Sequence, residues 1–275
     1  MMLDWYTIAR NRLVLFGGAL VVVVLVAGLL SPVIAPYDPT AITPDALAPP
    51  SRAHLFGTDD LGRDIFTRVL YGARISPIVG LLAVAISGLV GVAFGLIAGY
   101  AGGPADNVLM RIVDILLSFP GIVLAIGVVA ILGPGLNHAL VAVGIAGIPT
   151  FARVVRGSVL VEKEKEYVEA ARLLGVPTPR LLLLHILPNV LAPVLVLATL
   201  SVAGAILAAA GLSFIGLGAQ LPTPEWGAML SQGRNYLAVQ WWVAAFPGGA
   251  IALTVLGVNL LGDGIRDVLD PRLRV

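Results

Sequence analysis

The chain has 275 residues, of which 58% are hydrophobic and 12% are charged, against about 25% charged in an ordinary soluble domain. So few charges cannot cover the surface of a water-soluble globule, and the composition predicts an all-α protein that crosses a membrane several times. The 17 basic and 16 acidic residues nearly cancel, which leaves no field to attract nucleic acid. Cysteine is absent, which excludes disulfides, thiolate metal sites and cysteine nucleophiles.

The first predicted element is a membrane-spanning helix from Leu13 to Leu30. Its apolar run of 18 residues is too long for the usual hydrophobic region of a signal peptide. In addition, Pro36 follows Ala35 at the point where cleavage would need two small residues at the right spacing. We therefore predict that this helix is retained as a span in the lipid bilayer.

Five further spans follow, because a bilayer crossing needs about 20 apolar residues. Four of them are charge-free stretches, which lie between Arg74 and Asp106, between Asp114 and Asn137, from Ile186 to Pro224, and between Arg234 and Asp263. The fourth span in chain order is the shortest, because only the 14 residues 139–152 are uncharged before Arg153. That helix must include Asn137 and His138, or the Arg153 side chain must reach back to the membrane surface.

Basic residues are distributed unevenly between the two sides that the six spans define. Loops that face the cytoplasm carry the excess of Lys and Arg. Only five of the 17 basic residues fall on the side opposite the N-terminus, namely Arg52, Arg63, Arg68, Arg74 and Arg234. The distribution therefore predicts that both termini are cytoplasmic and that segments 31–74 and 216–234 lie outside.

The first outer segment begins with a proline-rich stretch, which predicts an extended strap rather than a helix. The charged residues that follow have i, i+4 spacings, which predicts an outer amphipathic helix; they are Asp59, Asp60, Arg63, Asp64 and Arg68. There are two interpretations: these charges brace an outer gate, or they simply face the water on a helix at the membrane surface.

The second outer segment contains Glu225 and Trp226, which follow Pro222 and Pro224. Two prolines so close together predict a rigid turn. Tryptophan is enriched where a membrane meets water. Anchoring in the membrane surface is therefore one interpretation of this turn.

The longest charged stretch on the inner side follows the fourth span. From Leu160 to Leu174 its composition favours a helix, and Gly175 occupies the place where a left-handed residue ends a helix. Pro177 forbids continuation of that helix. Thr178 followed by Pro179 predicts the cap and first residue of a second helix. The result is a stiff helix–turn–helix across the cytoplasmic face, which suits a lever moved by a partner protein.

This stretch, EAARLLG followed by HILP, resembles the EAA loop of binding-protein-dependent ABC importer permeases. The family pattern is EAA, three residues, Gly, nine residues, Ile, one residue and Leu-Pro. The matching residues are Glu169, Ala170, Ala171, Gly175, Leu187 and Pro188, whereas His185 stands where the pattern has isoleucine. A solvated helix with a glycine cap would share the first half of the pattern, but not the full spacing between the fourth and fifth of six spans.

The resemblance implies the fold of a type I ABC importer permease, with six transmembrane helices and a cytoplasmic coupling loop at about residues 160–188. In the family this loop seats in a groove of an ATPase subunit and transmits its closure to the membrane helices. The two alanines would permit close approach, and Glu169 would supply one ion pair or hydrogen bond. The implied location is the plasma (inner) membrane of a bacterium or archaeon.

The resemblance also implies the partners of the chain. They are a second homologous permease that completes a heterodimer, two ATPase subunits or domains that bind ATP and magnesium, and an extracellular or periplasmic substrate-binding protein. Candidate outer-gate or binding-protein contacts are then Asp60, Arg63, Asp64, Glu225 and Trp226.

Three longer segments, over residues 56–76, 208–230 and 262–274, resemble the C-type permeases of dipeptide, oligopeptide, glutathione and nickel importers. Short peptides are therefore the expected cargo, and nickel, glutathione or another small solute is the alternative. We divide the chain into residues 1–74, an N-terminal anchor helix with the outer segment, and residues 75–275, a five-helix permease core.

The chain itself is expected to be neither an enzyme nor the holder of a cofactor or metal. Its only lysines, Lys163 and Lys165, each follow a glutamate, so that a GxxxxGK[ST] phosphate loop is impossible. ATP hydrolysis is therefore assigned to partner subunits. A self-powered secondary transporter is the remote alternative, but it would favour ionisable residues near the middle of the membrane, and the centres of the predicted spans are uncharged.

Overall fold

The computed structural model describes residues 11–269, which fold as a bundle of long helices. Residues 1–10 and 270–275 lie outside the described residues, and they include Arg10, Arg272 and Arg274 of the predicted cytoplasmic charge excess. The helices in chain order are α1 (Arg12–Leu29), α2 (Ser31–Ile34), α3 (Ile65–Ala101), α4 (Gly103–Leu117), α5 (Gly121–Leu132), α6 (Leu136–Glu162), α7 (Glu166–Leu173), α8 (Thr178–Leu181), α9 (Leu187–Phe214), α10 (Trp226–Gly233) and α11 (Trp242–Leu269).

Within the described residues, five helices are long and apolar enough to cross a membrane. Four of them are α1, α3, α6 and α11. The fifth is a rod that runs from Thr178 to Phe214, because a π-helical turn, Leu182–Ile186, joins α8 to α9. The third predicted span corresponds to α4 and α5, which are bent by 93° relative to each other. It brings the count to six only when these two helices are counted together.

The bend between α4 and α5 follows from Pro120. A residue that precedes proline is driven out of the helical region of backbone space, so the helix ends at Leu117 and a new one begins at Gly121. With 12 residues, α5 is about 18 Å long, which alone is shorter than the hydrocarbon core of a bilayer. The described residues therefore hold five full-length spans, and the six predicted spans are reached if α4 and α5 together count as one broken span.

Two other spans are longer than the charge-free stretches predict. Helix α3 begins at Ile65 rather than after Arg74, because the Asp64 carboxylate caps it by accepting from the Thr67 amide at 2.7 Å. Helix α6 takes in Asn137 at its start and continues past Arg153, for 27 residues in all. The fourth span is thus long enough to cross the bilayer after all.

Helices α3 and α6 run parallel and form the largest helix interface in the described residues. Glycines at every fourth position of α3 face α6, so that the two backbones approach closely. A Cβ added at Gly95 would lie 2.6 Å from Cβ of Val155 and 2.7 Å from the carbonyl oxygen of Ala152. Gly99 meets Val159 in the same way, one turn further along. The ends of α3 and α6 that approach the EAA loop are therefore held as one unit.

Helix α1 belongs to the bundle and packs against α11 and α3. A Cβ at Gly17 would lie 2.5 Å from the Leu261 amide nitrogen, and one at Gly28 would lie 2.8 Å from the carbonyl carbon of Ala73. Between α2 and α3 the chain follows an irregular course over residues 35–64, as the predicted proline-rich strap requires. The start of the predicted strap is different, because Ser31–Ile34 are helical.

Candidate functional site

Helix α7 presents one face to the bundle and the other to solvent. Val168 and Ala171 are buried against the core, whereas Glu169, Ala170 and Leu173 point outwards. The two alanines of the EAA sequence therefore lie on different faces of α7. Ala170 lies on the exposed face, whereas Ala171 permits close packing of α7 on its own protein.

The turn after α7 has the geometry that the sequence predicts. Gly175 has φ of 76°, a left-handed conformation that favours glycine. Its amide donates to the Arg172 carbonyl at 2.9 Å, and the Val176 amide donates to the Ala171 carbonyl at 3.1 Å. These two bonds make a Schellman motif, which fixes the angle at which the chain leaves the helix. The following helix differs in detail, because Pro177 occupies its cap position and Thr178 is its first residue.

Helix α7 is attached to the helices before and after it by the Tyr167 hydroxyl. This hydroxyl donates to Oε1 of Glu162 at 2.6 Å, and it accepts from the Asn189 amide at 3.1 Å. Lys165 completes the cluster with an ion pair of 2.7 Å to Glu162. Partial burial and the neighbouring carboxylate raise the pKa of Tyr167 to about 12, so the phenol stays neutral and remains a donor. The last residue of α6, the middle of the loop and the start of α9 thus form one polar cluster.

A second attachment joins the loop to the end of α3. Nε of Arg172 donates to the Tyr100 hydroxyl at 3.1 Å, and the guanidinium lies over the Tyr100 ring at 4.9 Å from its centroid. Nζ of Lys163 donates to the Gly99 carbonyl at 3.0 Å, which satisfies one of the free carbonyls at the end of the helix. The loop is therefore bonded to the end of α3 as well as to α6 and α9.

The last part of the EAA pattern lies where α8 passes into α9. His185 lies in the π-helical turn, a local irregularity that is frequent at functional sites. Its carbonyl accepts from the Asn189 side chain at 2.7 Å, and its Nδ1 has no hydrogen-bond partner among residues 11–269. Leu187 packs against the core and Pro188 is exposed, so Leu187 has a packing role.

The charged residues before α3 do not form the predicted amphipathic helix, and that prediction is wrong. They lie in the end of the strap and the first turn of α3, and Asp59, Arg63, Asp64 and Arg68 are buried. Arg63 pairs with Asp59 at 2.7 Å and donates to Gln232 of α10 at 3.1 Å. Arg68 donates to the Pro39 carbonyl at 2.8 Å. We call these four buried residues the outer cluster.

The outer cluster is therefore not the water-facing side of a helix at the membrane surface. The i, i+4 spacing was misleading because buried ion pairs in a tight turn can show the same spacing as a helix. The cluster joins the strap to α3 and α10, since each of its arginines bonds to a different segment. Asp60, next to the cluster, keeps a partly exposed side chain.

Glu225 and Trp226 are buried as well, so neither anchors the protein in the membrane surface. The Glu225 carboxylate caps α10 by accepting from the Ala228 amide at 2.9 Å, and Ser76 donates to its other oxygen at 3.1 Å. The Trp226 indole donates to the Val69 carbonyl at 3.0 Å. This turn therefore attaches α10 to α3.

Comparison with protein families identifies the chain. The family described as the binding-protein-dependent transport system inner membrane component matches residues 91–275. The chain belongs to this family. Residues 4–50 also match the N-terminal transmembrane domain of oligopeptide transport permease C, so both ends of this permease find counterparts in known transport proteins.

Individual relatives resemble the permease over almost its whole length. The probable D,D-dipeptide transport system permease protein DdpC of Escherichia coli K12 is 49% identical over 95% of this chain and 88% of its own. The di/tripeptide transport system permease protein DppC of Pseudomonas aeruginosa is 45% identical over 98% of this chain and 91% of its own. The glutathione transport system permease protein GsiD of Pectobacterium atrosepticum is 46% identical over 98% of this chain and 90% of its own.

The fold of the permease is that of a solved ABC importer. The inward-facing MetNI methionine ABC transporter aligns with a TM-score of 0.58 at 21% identity, over 74% of this chain and 96% of that chain. The predicted fold of a type I ABC importer permease is confirmed.

Two ion pairs of the permease connect α4 to α6, and sequence reasoning missed both. Arg156 forms a bidentate pair with Asp106, in which Nε and Nη2 each lie 2.6 Å from a carboxylate oxygen. Arg153 forms a second pair with Asp114 at 2.7 Å. The partners are 50 and 39 residues apart in the chain, so no local spacing rule could connect them.

A cavity of about 260 Å³ opens between α3, α5, α6 and α9. Three of its lining residues carry hydroxyls, namely Ser87, Thr150 and Ser201, and the remainder are apolar residues or glycines. The cavity wall is thus uncharged and partly polar. Helix α5 contributes Gly121, Ile122 and Ala125 to it, so this short helix forms one part of the cavity wall.

Proposed function

We propose that this permease is the C-type subunit of an ATP-driven importer of short peptides. It pairs with a second, homologous permease, and the two form the pathway for peptides that an extracellular binding protein delivers. The support comes from relatives named for dipeptide, di/tripeptide and glutathione transport, each matched over nearly the whole chain. Glutathione is itself a tripeptide, so peptides are the common chemistry of these three names.

One observation carries the mechanism: α7 is an exposed helix in a loop that hydrogen bonds join to three long helices. Leu173 and Leu174, at its end, are 83% and 84% exposed. Adjacent exposed apolar side chains outside the membrane-spanning helices favour a contact with another protein. Beside them Glu169 and Ala170 offer one charge and room for close approach. We infer that an ATPase subunit covers this face and that its closure moves α7 and the attached ends of α3, α6 and α9.

The orientation follows from the same assignment. The loop faces the cytoplasm, where ATP is available, and both termini lie on that side, as the distribution of basic residues predicts. The strap and α10 then face outwards. ATP and magnesium are held by the two ATPase subunits, and the permease supplies the pathway.

The cavity between α3, α5, α6 and α9 is the part of the pathway that this subunit contributes. A free peptide carries a charge at each end, and a site that binds it tightly must pair those charges. The cavity offers hydroxyls but no charged side chain in its lining. We infer that it lets peptides pass with weak contacts, and that selection takes place in the binding protein.

The outer cluster supports the opposite end of the pathway. Because Asp59, Arg63, Asp64 and Arg68 are buried, their role is to hold the strap on α3 and α10 rather than to touch a partner directly. Of the charged residues between positions 59 and 68, Asp60 is the one with a partly exposed side chain. We propose that the outer cluster braces the outer gate against the push of a docked binding protein.

Reconstitution tests the proposed function. The permease is co-expressed with its partner permease and the ATPase subunits, and the complex is placed in liposomes with the binding protein on the outside and ATP on the inside. Uptake of a labelled dipeptide that needs both ATP and the binding protein is the expected result. Competition with a tripeptide, glutathione or nickel ion identifies the cargo. Uptake without the ATPase subunits, or ATP hydrolysis by the purified permease alone, would contradict the proposal.

A further inference from the structure

Helices α4 and α6 are connected by two ion pairs whose spacing differs between the two helices. Asp106 and Asp114 are eight positions apart in α4, or about 12 Å, whereas their partners Arg156 and Arg153 are three positions apart in α6, or about 4.5 Å. The two ion pairs therefore connect a long stretch of α4 to a short stretch of α6. Together with the 93° bend that follows, this places α4 near the loop end of the bundle and directs α5 along the cavity.

The two pairs differ in strength. Arg153 and Asp114 have side chains that are 56% and 54% exposed, and a pair in water contributes little. Arg156 and Asp106 are 33% and 16% exposed, and their bidentate geometry makes them a stronger and more directional contact. The pair of Arg156 and Asp106 is thus the main polar contact between α4 and α6.

A continuous path connects this pair to the EAA loop. Helix α6 runs without a break from Arg156 to Glu162, and Glu162 accepts the hydrogen bond from Tyr167 in α7. On the other side of the pair, α4 leads through the bend into α5, whose Gly121 and Ala125 line the cavity. A chain of contacts thus runs from α7 through α6, the ion pair, α4 and α5 to the cavity wall, which α6 also lines directly.

We propose that the pair of Arg156 and Asp106 is the joint through which the EAA loop moves α4 and α5, and so opens and closes the cavity. The inference rests on the proposed function, because it takes the loop as the receiver of the ATPase movement. Arg156 and Asp106 act through α5 and are positioning residues, since neither lines the cavity. Asp114 and Arg153 form an ion pair between the same helices, but they are so exposed that the pair contributes little.

Charge exchange tests the joint in the reconstituted importer. We expect Asp106→Arg and Arg156→Asp each to lower the number of peptides carried per ATP hydrolysed about 10-fold or more, with assembly intact, and the double exchange to restore it to within about threefold of wild type. The matched control exchanges Asp114 and Arg153 in the same way, and each of those single variants should stay within about threefold of wild type.

A distance measurement accompanies the transport assay. Spin labels on Val108→Cys in α4 and Gly157→Cys in α6 report the separation of the two helices, and the native chain has no cysteine to interfere. Wild type should give one narrow distance distribution with and without ATP. Asp106→Arg should broaden it, the double exchange with Arg156→Asp should restore the narrow distribution, and Asp114→Arg should leave it unchanged.

Each outcome decides the proposal. Poor transport together with a broadened distribution, both reversed by the double exchange, supports the joint. Normal transport per ATP in the single Asp106 or Arg156 variants would overturn it, as would equal losses in the Asp114 and Arg153 controls. Single variants that fail to assemble would show that the pair is only a folding contact. Failure of the wild-type complex to take up peptide would instead contradict the proposed function.

Discussion

The hydroxyl of Tyr167 lies 2.6 Å from Oε1 of Glu162 and joins the first turn of α7 to the last residue of α6. Glu162 is almost fully buried, and its other oxygen pairs with Lys165 at 2.7 Å. Because the pKa of Tyr167 is raised to about 12 by partial burial and by this carboxylate, the phenol donates throughout the physiological pH range. The contact is therefore a permanent part of the loop and not a pH switch.

Tyr167→Phe removes this donor and leaves the Glu162 carboxylate with Lys165 alone. A hydrogen bond to a charged group contributes about 1.5–3 kcal/mol, so we expect α7 to open more often while the bundle stays folded. Hydrogen exchange of the α7 amides measures this directly. Protection in wild type should be constant from about pH 6 to 9 and should fall only as the pH rises from about 10 towards 12, since a raised pKa stabilises the fold below the unfolded value. Equal protection in both proteins would contradict the role of this bond.

Gly175→Val tests the turn after α7. A Cβ at Gly175 would meet no atom of residues 11–269 within 4 Å, so any cost comes from the left-handed backbone and not from a clash. We expect a local cost of about 1–2 kcal/mol and a changed loop angle, which lowers peptide uptake per ATP hydrolysed.

Gly175→Asn is the matched control, because asparagine tolerates the left-handed conformation far better than valine. It adds a side chain of similar size at the same place and should retain most of the uptake. Equal losses in the two variants would mean that bulk at the interface matters and that backbone geometry does not.

Neighbouring alanines separate docking from packing. Ala170 is exposed and Ala171 is buried against the core. Ala170→Trp should leave the thermal stability of the permease pair unchanged and abolish co-purification of the ATPase subunits. Ala171→Trp overpacks the core at a cost of about 1–3 kcal/mol and should lower the unfolding temperature. Glu169→Gln keeps the shape and should weaken the complex only mildly. If Ala170→Trp lowered the unfolding temperature and Ala171→Trp abolished co-purification instead, the docking face would not be the exposed face of α7.

Arg63→Ala tests the outer cluster. The change removes the arginine at 2.7 Å from the buried Asp59 and leaves only Arg68, at 3.7 Å, so the cost should lie near the lower end of the about 3–5 kcal/mol for breaking a buried pair. We expect a clear drop in the thermal unfolding midpoint of the purified permease. Asp45→Ala removes a charge from an exposed position of the same strap and should have almost no effect. Similar unfolding midpoints for Arg63→Ala and wild type would contradict the role of the outer cluster in holding the fold together.

Local signals in the sequence were sufficient for the loop but not for the buried charges. Gly175, Pro177 and the EAA spacing predict the turn, because a glycine in a left-handed turn and a proline after it act on their nearest neighbours. Burial of Arg63, in contrast, depends on Gln232 of α10, which is far away in the chain. No local pattern reports such a partner.

The break in the third span has a signal in the sequence, the proline at position 120. Pro120 interrupts an apolar run, and the residue before a proline disfavours helix, so the break could have been predicted. Its angle of 93° could not, because it depends on how α4 packs on α6. The same packing brings Asp106 to Arg156.

Single cysteines test the orientation in intact cells. Ala46→Cys in the strap and Val239→Cys beyond α10 are at exposed positions and should react with a thiol reagent that does not cross membranes. Lys165→Cys in the EAA loop should react only after the cells are opened. The native chain has no cysteine, so background labelling is absent. Labelling of Lys165→Cys from outside would invert the topology and remove the loop from the ATPase.

The central claim is that an ATPase subunit covers the outward face of α7, and site-specific photocrosslinking tests it most directly. A photoreactive amino acid is placed at Leu173, which is 83% exposed, and as a control at Ile131 near the end of α5, which is 86% exposed. We expect irradiation of the assembled complex to join the ATPase subunit to the permease from position 173 and not from position 131. An assembled, transporting complex in which position 173 gives no crosslink to the ATPase would contradict the claim.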